Sequence, residues 1–107
     1  MHTIIRTTLG EYLAKPQYTG SGIYVISCYP SLGCLYVGIG YDVLRRIRQH
    51  LTNDGALGMF LRNVMADACG FGLDIHVLDD REYMIAAERK LIQWLRPMFN
   101  EAGLGGS

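Results

Sequence analysis

The sequence predicts an α/β sandwich, a small three-stranded sheet with helices on its flanks. Three observations predict it. Two short runs rich in β-branched and aromatic residues, GIYVISC (Gly22–Cys28) and CLYVG (Cys34–Gly38), are joined by Tyr-Pro-Ser-Leu-Gly, the pattern of an antiparallel hairpin. Apolar residues recur at helical spacing in the segments that follow. A third strand lies ahead of the last helix, where Leu73, Ile75 and Val77 alternate with Asp74 and His76.

Each element has its own local reason. Thr8-Leu-Gly-Glu11 has the form of a capping box, which satisfies the first free amides of a short helix that Pro16 closes. Gly20 and Ser21 mark a turn into the hairpin. Gly40 ends the second strand, and Asp42 caps a helix from Val43 to about Leu51. Asn53-Asp54-Gly55 breaks the chain. Leu57, Phe60, Leu61, Val64, Met65 and Ala68 then sit on one helical face until Gly70 stops it. Asp79 or Asp80 caps a last helix running to Leu95, where Arg96-Pro97 ends it. The organisation expected is an N-terminal extension with a short helix over 1–21, one domain over 22–100, and a flexible glycine-rich tail over 101–107.

The 107 residues suffice for one compact domain. Half are hydrophobic and 19% charged, which excludes disorder as the main state. No run approaches the ~18 apolar residues of a membrane span, and no basic-plus-apolar leader opens the sequence. Cys28, Cys34 and Cys69 are odd in number and form no C-x-x-C pair. A soluble, cytoplasmic protein in a reducing compartment, with no membrane partner, is therefore expected. Zinc on Cys28, Cys34, His50 and His76 is conceivable, but their spacing favours cysteines that act as small buried hydrophobes.

Ten Lys and Arg balance ten Asp and Glu, so net charge alone holds nucleic acid weakly. The distribution is less even. Arg45, Arg46 and Arg48 lie in a stretch free of acids from Val43 to Asn53, while Asp74, Asp79, Asp80 and Glu82 cluster later.

Two helices carry the candidate chemistry. On a wheel at about 100° per residue, Val43, Leu44, Ile47 and Leu51 make an apolar stripe. Arg46 and His50 share one edge of it, Arg45 points outward, and Arg48 lies beyond the opposite side. Arg46 and His50 can reach into a cleft from a core boundary, or serve only as a snorkelling cation and a helix-end cap. On the last helix, Met84, Ile85, Leu91, Ile92 and Leu95 form a stripe with Glu88 near its centre. A carboxylate there requires a cation, a hydrogen-bond network or a raised pKa. A divalent metal or an ion pair with Arg46 would meet that need.

These residues also carry a resemblance. GIY (Gly22–Tyr24) and YVG (Tyr36–Gly38) resemble the two half-motifs that name the GIY-YIG nuclease family. Arg46 and His50 follow Tyr36 in the family's order and spacing. Glu88, then Leu-Ile, then Arg96-Pro-Met-Phe-Asn100 resembles its closing segment. The likeness runs from Gly22 to Asn100, and five elements in order make it specific.

The resemblance implies a three-stranded sheet flanked by helices and a metal-dependent endonuclease that hydrolyses DNA phosphodiesters at one divalent-metal site. Glu88 would bind Mg²⁺ or Mn²⁺, and Arg46 would hold the scissile phosphate. Tyr24, Tyr36 and His50 would line the cleft, one of them orienting or deprotonating the attacking water. Asn100 would support the site by hydrogen bonding; Arg45 and Arg48, in the acid-free stretch, are DNA-contact candidates by their charge. No organic cofactor is implied. Ile39 follows YVG where many relatives carry a polar or basic residue, which implies one phosphate contact fewer. The family spans homing endonucleases, restriction enzymes, excision-repair incision subunits and junction-resolving subunits. The size of this sequence suits a stand-alone nuclease domain, or a subunit that gains specificity from a protein partner or a homodimer. A catalytically silent nucleic-acid-binding or assembly module on the same fold is the alternative.

Overall fold

The computed structural model describes residues 3–28, 32–53, 55–63 and 71–100. Eight elements follow one another: β1 (Thr3–Thr8), α1 (Leu9–Ala14), β2 (Gly22–Cys28), β3 (Gly33–Gly40), α2 (Val43–Thr52), α3 (Ala56–Asn63), β4 (Gly72–Val77) and α4 (Arg81–Leu95). The strands form one antiparallel sheet in the order β1-β4-β2-β3.

The sheet therefore has four strands, not the three that the sequence suggested. The added strand, Thr-Ile-Ile-Arg-Thr-Thr, pairs with β4 from Thr3 opposite Val77 to Thr8 opposite Gly72. Its β-branched residues suit a strand, but Ile4 and Ile5 are adjacent, so no apolar alternation marks it. Only the distant partner β4 makes it visible. Arg6 faces Asp74 across the pair at 3.9 Å on the exposed surface.

The helix starts follow the sequence. The Thr8 hydroxyl accepts from the Glu11 amide at 3.1 Å, and the Asp42 carboxylate from the Arg45 amide at 3.0 Å. Of the two candidates before α4, Asp80 is the cap, accepting from the Tyr83 amide at 3.1 Å. Of the helix expected from Leu57 to Ala68, the first part is α3. Val64, Met65, Ala68 and the stop at Gly70 lie outside the described residues, as do Cys69 and the tail 101–107.

Helices cover both faces. Tyr24, Ile26, Leu35, Leu73 and Ile75 point to one side, packed with Leu9 and Tyr12 of α1, Val43 and Ile47 of α2, and Leu57 and Leu61 of α3. Ile23, Val25, Cys34 and Val37 point to the other, against Met84, Leu91 and Leu95 of α4. Strand alternation accounts for most of this sorting. There is one irregularity beside the site: Ile26 pairs with Tyr36 but Ser27 with Cys34, so Leu35 is an extra residue in β3. The bulge puts Leu35 and Tyr36 on the same side of the sheet, beside Tyr24.

Beyond α4 the chain turns back along the outer edge of β3. The Met98 and Phe99 amides donate to the Cys34 and Leu35 carbonyls at 3.0 and 2.8 Å. A strand edge that would otherwise be open is thereby paired.

Candidate active site

The site begins with two tyrosines brought to one face by β2 and β3. Their rings stack with centroids 6.1 Å apart. Helix α2 crosses above them and inserts His50 from its last turn. The Tyr24 hydroxyl and His50 Nε2 share a hydrogen bond of 2.7 Å, and the Tyr36 ring meets the imidazole edge-on at 4.6 Å. Tyr24 is fully enclosed, whereas Tyr36 and His50 keep 6% and 7% of their surface exposed.

Two glycines make this approach possible. A Cβ on Gly38 would lie 2.5 Å from the Tyr24 hydroxyl oxygen and 2.8 Å from the Tyr36 ring. A Cβ on Gly22 would overlap the His76 carbonyl of the neighbouring strand. The first and last residues of the paired half-motifs are thus space for other groups.

Arg46 lies one helical turn before His50 and is half-buried. Its Nη1 donates to Gln49 Oε1 at 3.0 Å. Burial raises the Tyr24 phenol well above its usual range; Tyr36 and Glu88 add to the rise, and Arg46 opposes it. Burial also pushes Tyr36 up to about 12, against Arg46 and with Glu88. For His50 burial and then Arg46 act together, taking the imidazole down to about 4. Both phenols are therefore protonated and the imidazole neutral near pH 7.

Glu88 comes from the other face of the sheet and is buried, 8% exposed. Its charge acts on both tyrosines, as does that of Arg46. Among the described residues no three His, Cys, Asp or Glu side chains gather, so Cys28, Cys34, His50 and His76 do not form a zinc cluster. Cys34 carries a free thiol, and burial holds it up at about 11. The donor set here is one buried carboxylate, Glu88. It fits a hard ion such as Mg²⁺, which keeps several waters and takes phosphate oxygens from a substrate.

Asn100 stands apart from this cluster. Its Oδ1 accepts from the Val37 amide and its Nδ2 donates to the Val37 carbonyl, both at 2.9 Å. That clamp fastens the returning chain to β3 between Tyr36 and Gly38. Arg45 and Arg48 are exposed on the outer side of α2 and take no part in the cluster.

Five side chains far apart in sequence thus converge at one edge of the sheet. The model of the GIY-YIG catalytic domain matches residues 20–101 of the 107. The chain belongs to the GIY-YIG family. Membership makes this a nuclease domain, with DNA as the substrate class and divalent metals in general use. Neither curated proteins nor solved structures give a significant match. No helix among the described residues is long and apolar enough to cross a membrane.

Some residues that shape the site carry no signal in the sequence. Gln49 is legible only as a polar residue three positions after Arg46, a spacing that lets side chains meet on a helix. Gly38 is legible as the close of the second half-motif, but only the Tyr24 hydroxyl packed against it shows why no side chain fits. A third group braces the approach to the first half-motif. The Tyr12 hydroxyl donates to the Tyr18 carbonyl at 2.6 Å, and the Tyr18 hydroxyl donates to the Ser21 carbonyl at 2.7 Å. The Ser21 hydroxyl then reaches the Leu78 carbonyl at 2.6 Å. No motif announces that relay.

Proposed function

We propose that this chain is an endonuclease that hydrolyses DNA phosphodiester bonds at a single divalent-metal site. The observation that carries the reading is the convergence of a guanidinium and a buried carboxyl on two tyrosines, one of them hydrogen-bonded to a neutral histidine. A phosphodiester is anionic and gains charge on its equatorial oxygens as water attacks. Arg46, held by Gln49, would neutralise those oxygens, a task in which one preorganised donor is worth about 3 kcal/mol. Glu88 would hold Mg²⁺ or Mn²⁺, and the ion supplies Lewis-acid stabilisation of the phosphate and the leaving oxygen.

The three remaining groups divide the proton work. Tyr24 is enclosed, with its hydroxyl on His50, which suits a residue that orients the imidazole. His50 is unprotonated at neutral pH, as a proton acceptor has to be, and an incoming phosphate would raise its pKa toward the useful range. Tyr36 packs against the imidazole edge and would fix its plane. Asn100 would hold β3 so that Tyr36 and Gly38 keep their places.

The test is direct. Supercoiled, linear, single-stranded and branched DNA are incubated with the protein and Mg²⁺ or Mn²⁺, with and without chelator. Metal-dependent cutting is expected. DNA bound but never cut would overturn the reading in favour of a silent binding module.

A further inference from the structure

The C-terminal half of α4 carries a surface that the catalytic cluster does not use. Trp94 is 82% exposed. An aromatic of that size seldom lies so open without a partner, since it leaves a large apolar area in water. Lys90 lies one turn before Trp94 on the same stripe and is also exposed. Arg96 follows at the helix end with φ 49° and ψ 61°, and Met98, half exposed, comes just after it.

The charge pattern points to a partner. The acids around α4 gather at its start, as Asp79, Asp80 and Glu82, with Glu88 buried further on. From Arg89 to Asn100 there are three cations and no acid. Arg96 strengthens the point. Its left-handed backbone is one that glycine adopts freely and that an L-residue adopts at a cost. An arginine there supplies a cation where a glycine would relieve the strain. An exposed aromatic ring with cations before and after it along the chain is a combination suited to single-stranded nucleic acid. Bases stack on the ring while the cations hold the phosphates on either side.

We propose that Trp94, Lys90 and Arg96 form a second DNA contact that takes an unpaired base, and that the preferred substrate carries a single-stranded segment beside the site of cutting. This inference rests on the DNA-cutting role proposed above and adds the class of DNA to it. The placement suits it. Trp94 follows Glu88 by six residues on one helix, about 9 Å along its axis and about a third of a turn around it. That is the length of about three stacked nucleotides. In paired duplex both faces of a base are already stacked, so the ring has nothing to take there.

The chain has a single tryptophan, so its fluorescence reports on this contact alone. The intact protein, in chelator to prevent cutting, is titrated with a single-stranded oligonucleotide, a blunt duplex of the same sequence, and a duplex with a single-stranded gap. Single-stranded and gapped DNA are expected to quench Trp94, and blunt duplex to do so at least ten-fold more weakly. Lys90→Ala and Arg96→Gly should weaken the quenching complex and lower its salt dependence, with melting unchanged or, for Arg96→Gly, higher. Trp94→Ala should cut gapped DNA several-fold less well than the parent while cutting blunt duplex equally. Absence of quenching by any DNA, or equal quenching by duplex and single strand, would overturn the inference. The cutting assay stands apart: metal-dependent cutting without quenching refutes only this contact, and quenching without cutting refutes only the catalytic reading.

Discussion

The Tyr24 hydroxyl and His50 Nε2 meet at 2.7 Å in the core, joining the first strand of the hairpin to the last turn of α2. Both groups are enclosed, so each serves as the other's answer to burial. Tyr24→Phe is expected to leave the imidazole nitrogen without this partner, at a cost of about 1–3 kcal/mol. Cutting should fall more than stability does, because the imidazole loses its orientation. Chemical denaturation beside a nicking assay measures both.

The same burial makes the protein sensitive to acid. His50 titrates near 4 in the folded chain and near 6.5 when unfolded. Between those values the unfolded chain binds a proton that the folded chain refuses, so stability falls as pH drops from about 6.5 toward 4. Each pH unit between the two values is worth about 1.4 kcal/mol, so the full effect is on the order of 3–4 kcal/mol. Melting temperatures across that range should decline in the parent. The decline should be smaller in His50→Gln, which has no imidazole to charge.

Gly38→Ala tests the packing behind the second half-motif. The new methyl would lie 2.5 Å from the Tyr24 oxygen and 2.6 Å from its ring carbon, inside contact distance. Neither ring can retreat, because each is held by the other and by His50. A loss of about 1–3 kcal/mol is expected, as for other overpacked cores, together with loss of cutting. Parent-like stability would show that the rings have room that the packing does not reveal.

Arg46 and Arg48 look alike in sequence and differ in setting. Arg46 is half-buried beside the tyrosines, and Arg48 is exposed on the outer side of α2. Arg46→Ala should abolish most cutting at saturating DNA, by about 100-fold or more. Arg48→Ala should weaken DNA binding and flatten its salt dependence while sparing turnover. Equal loss of turnover in both variants would contradict this division.

Much of the architecture was legible because it depends on local signals. Asp42 and Asp80 announce their helices, and the apolar stripes set which faces turn inward. The site residues were legible by motif and by the oddity of Glu88 on an apolar stripe. β1 was not, since its apolar residues lack alternation and its partner lies some seventy residues away. The bulge at Leu35 was hidden too. It depends on pairing with β2, and it sets Leu35 on the same side as Tyr36. Gln49 and the Tyr12–Tyr18–Ser21 brace are ordinary polar residues until the fold brings their partners to them.

Whether Glu88 serves a metal, as proposed, is measured most directly by Glu88→Gln. Melting in chelator and nicking across a range of Mg²⁺ and Mn²⁺ are run on the same preparation. If the carboxylate is a metal ligand, holding its charge in a buried setting costs stability in the metal-free protein. The variant should then melt no lower than the parent and cut nothing at any metal concentration. If the carboxylate instead pairs structurally with Arg46, removing it would cost about 3–5 kcal/mol for a truly buried pair. A variant that melts far below the parent and still cuts DNA would contradict the claim.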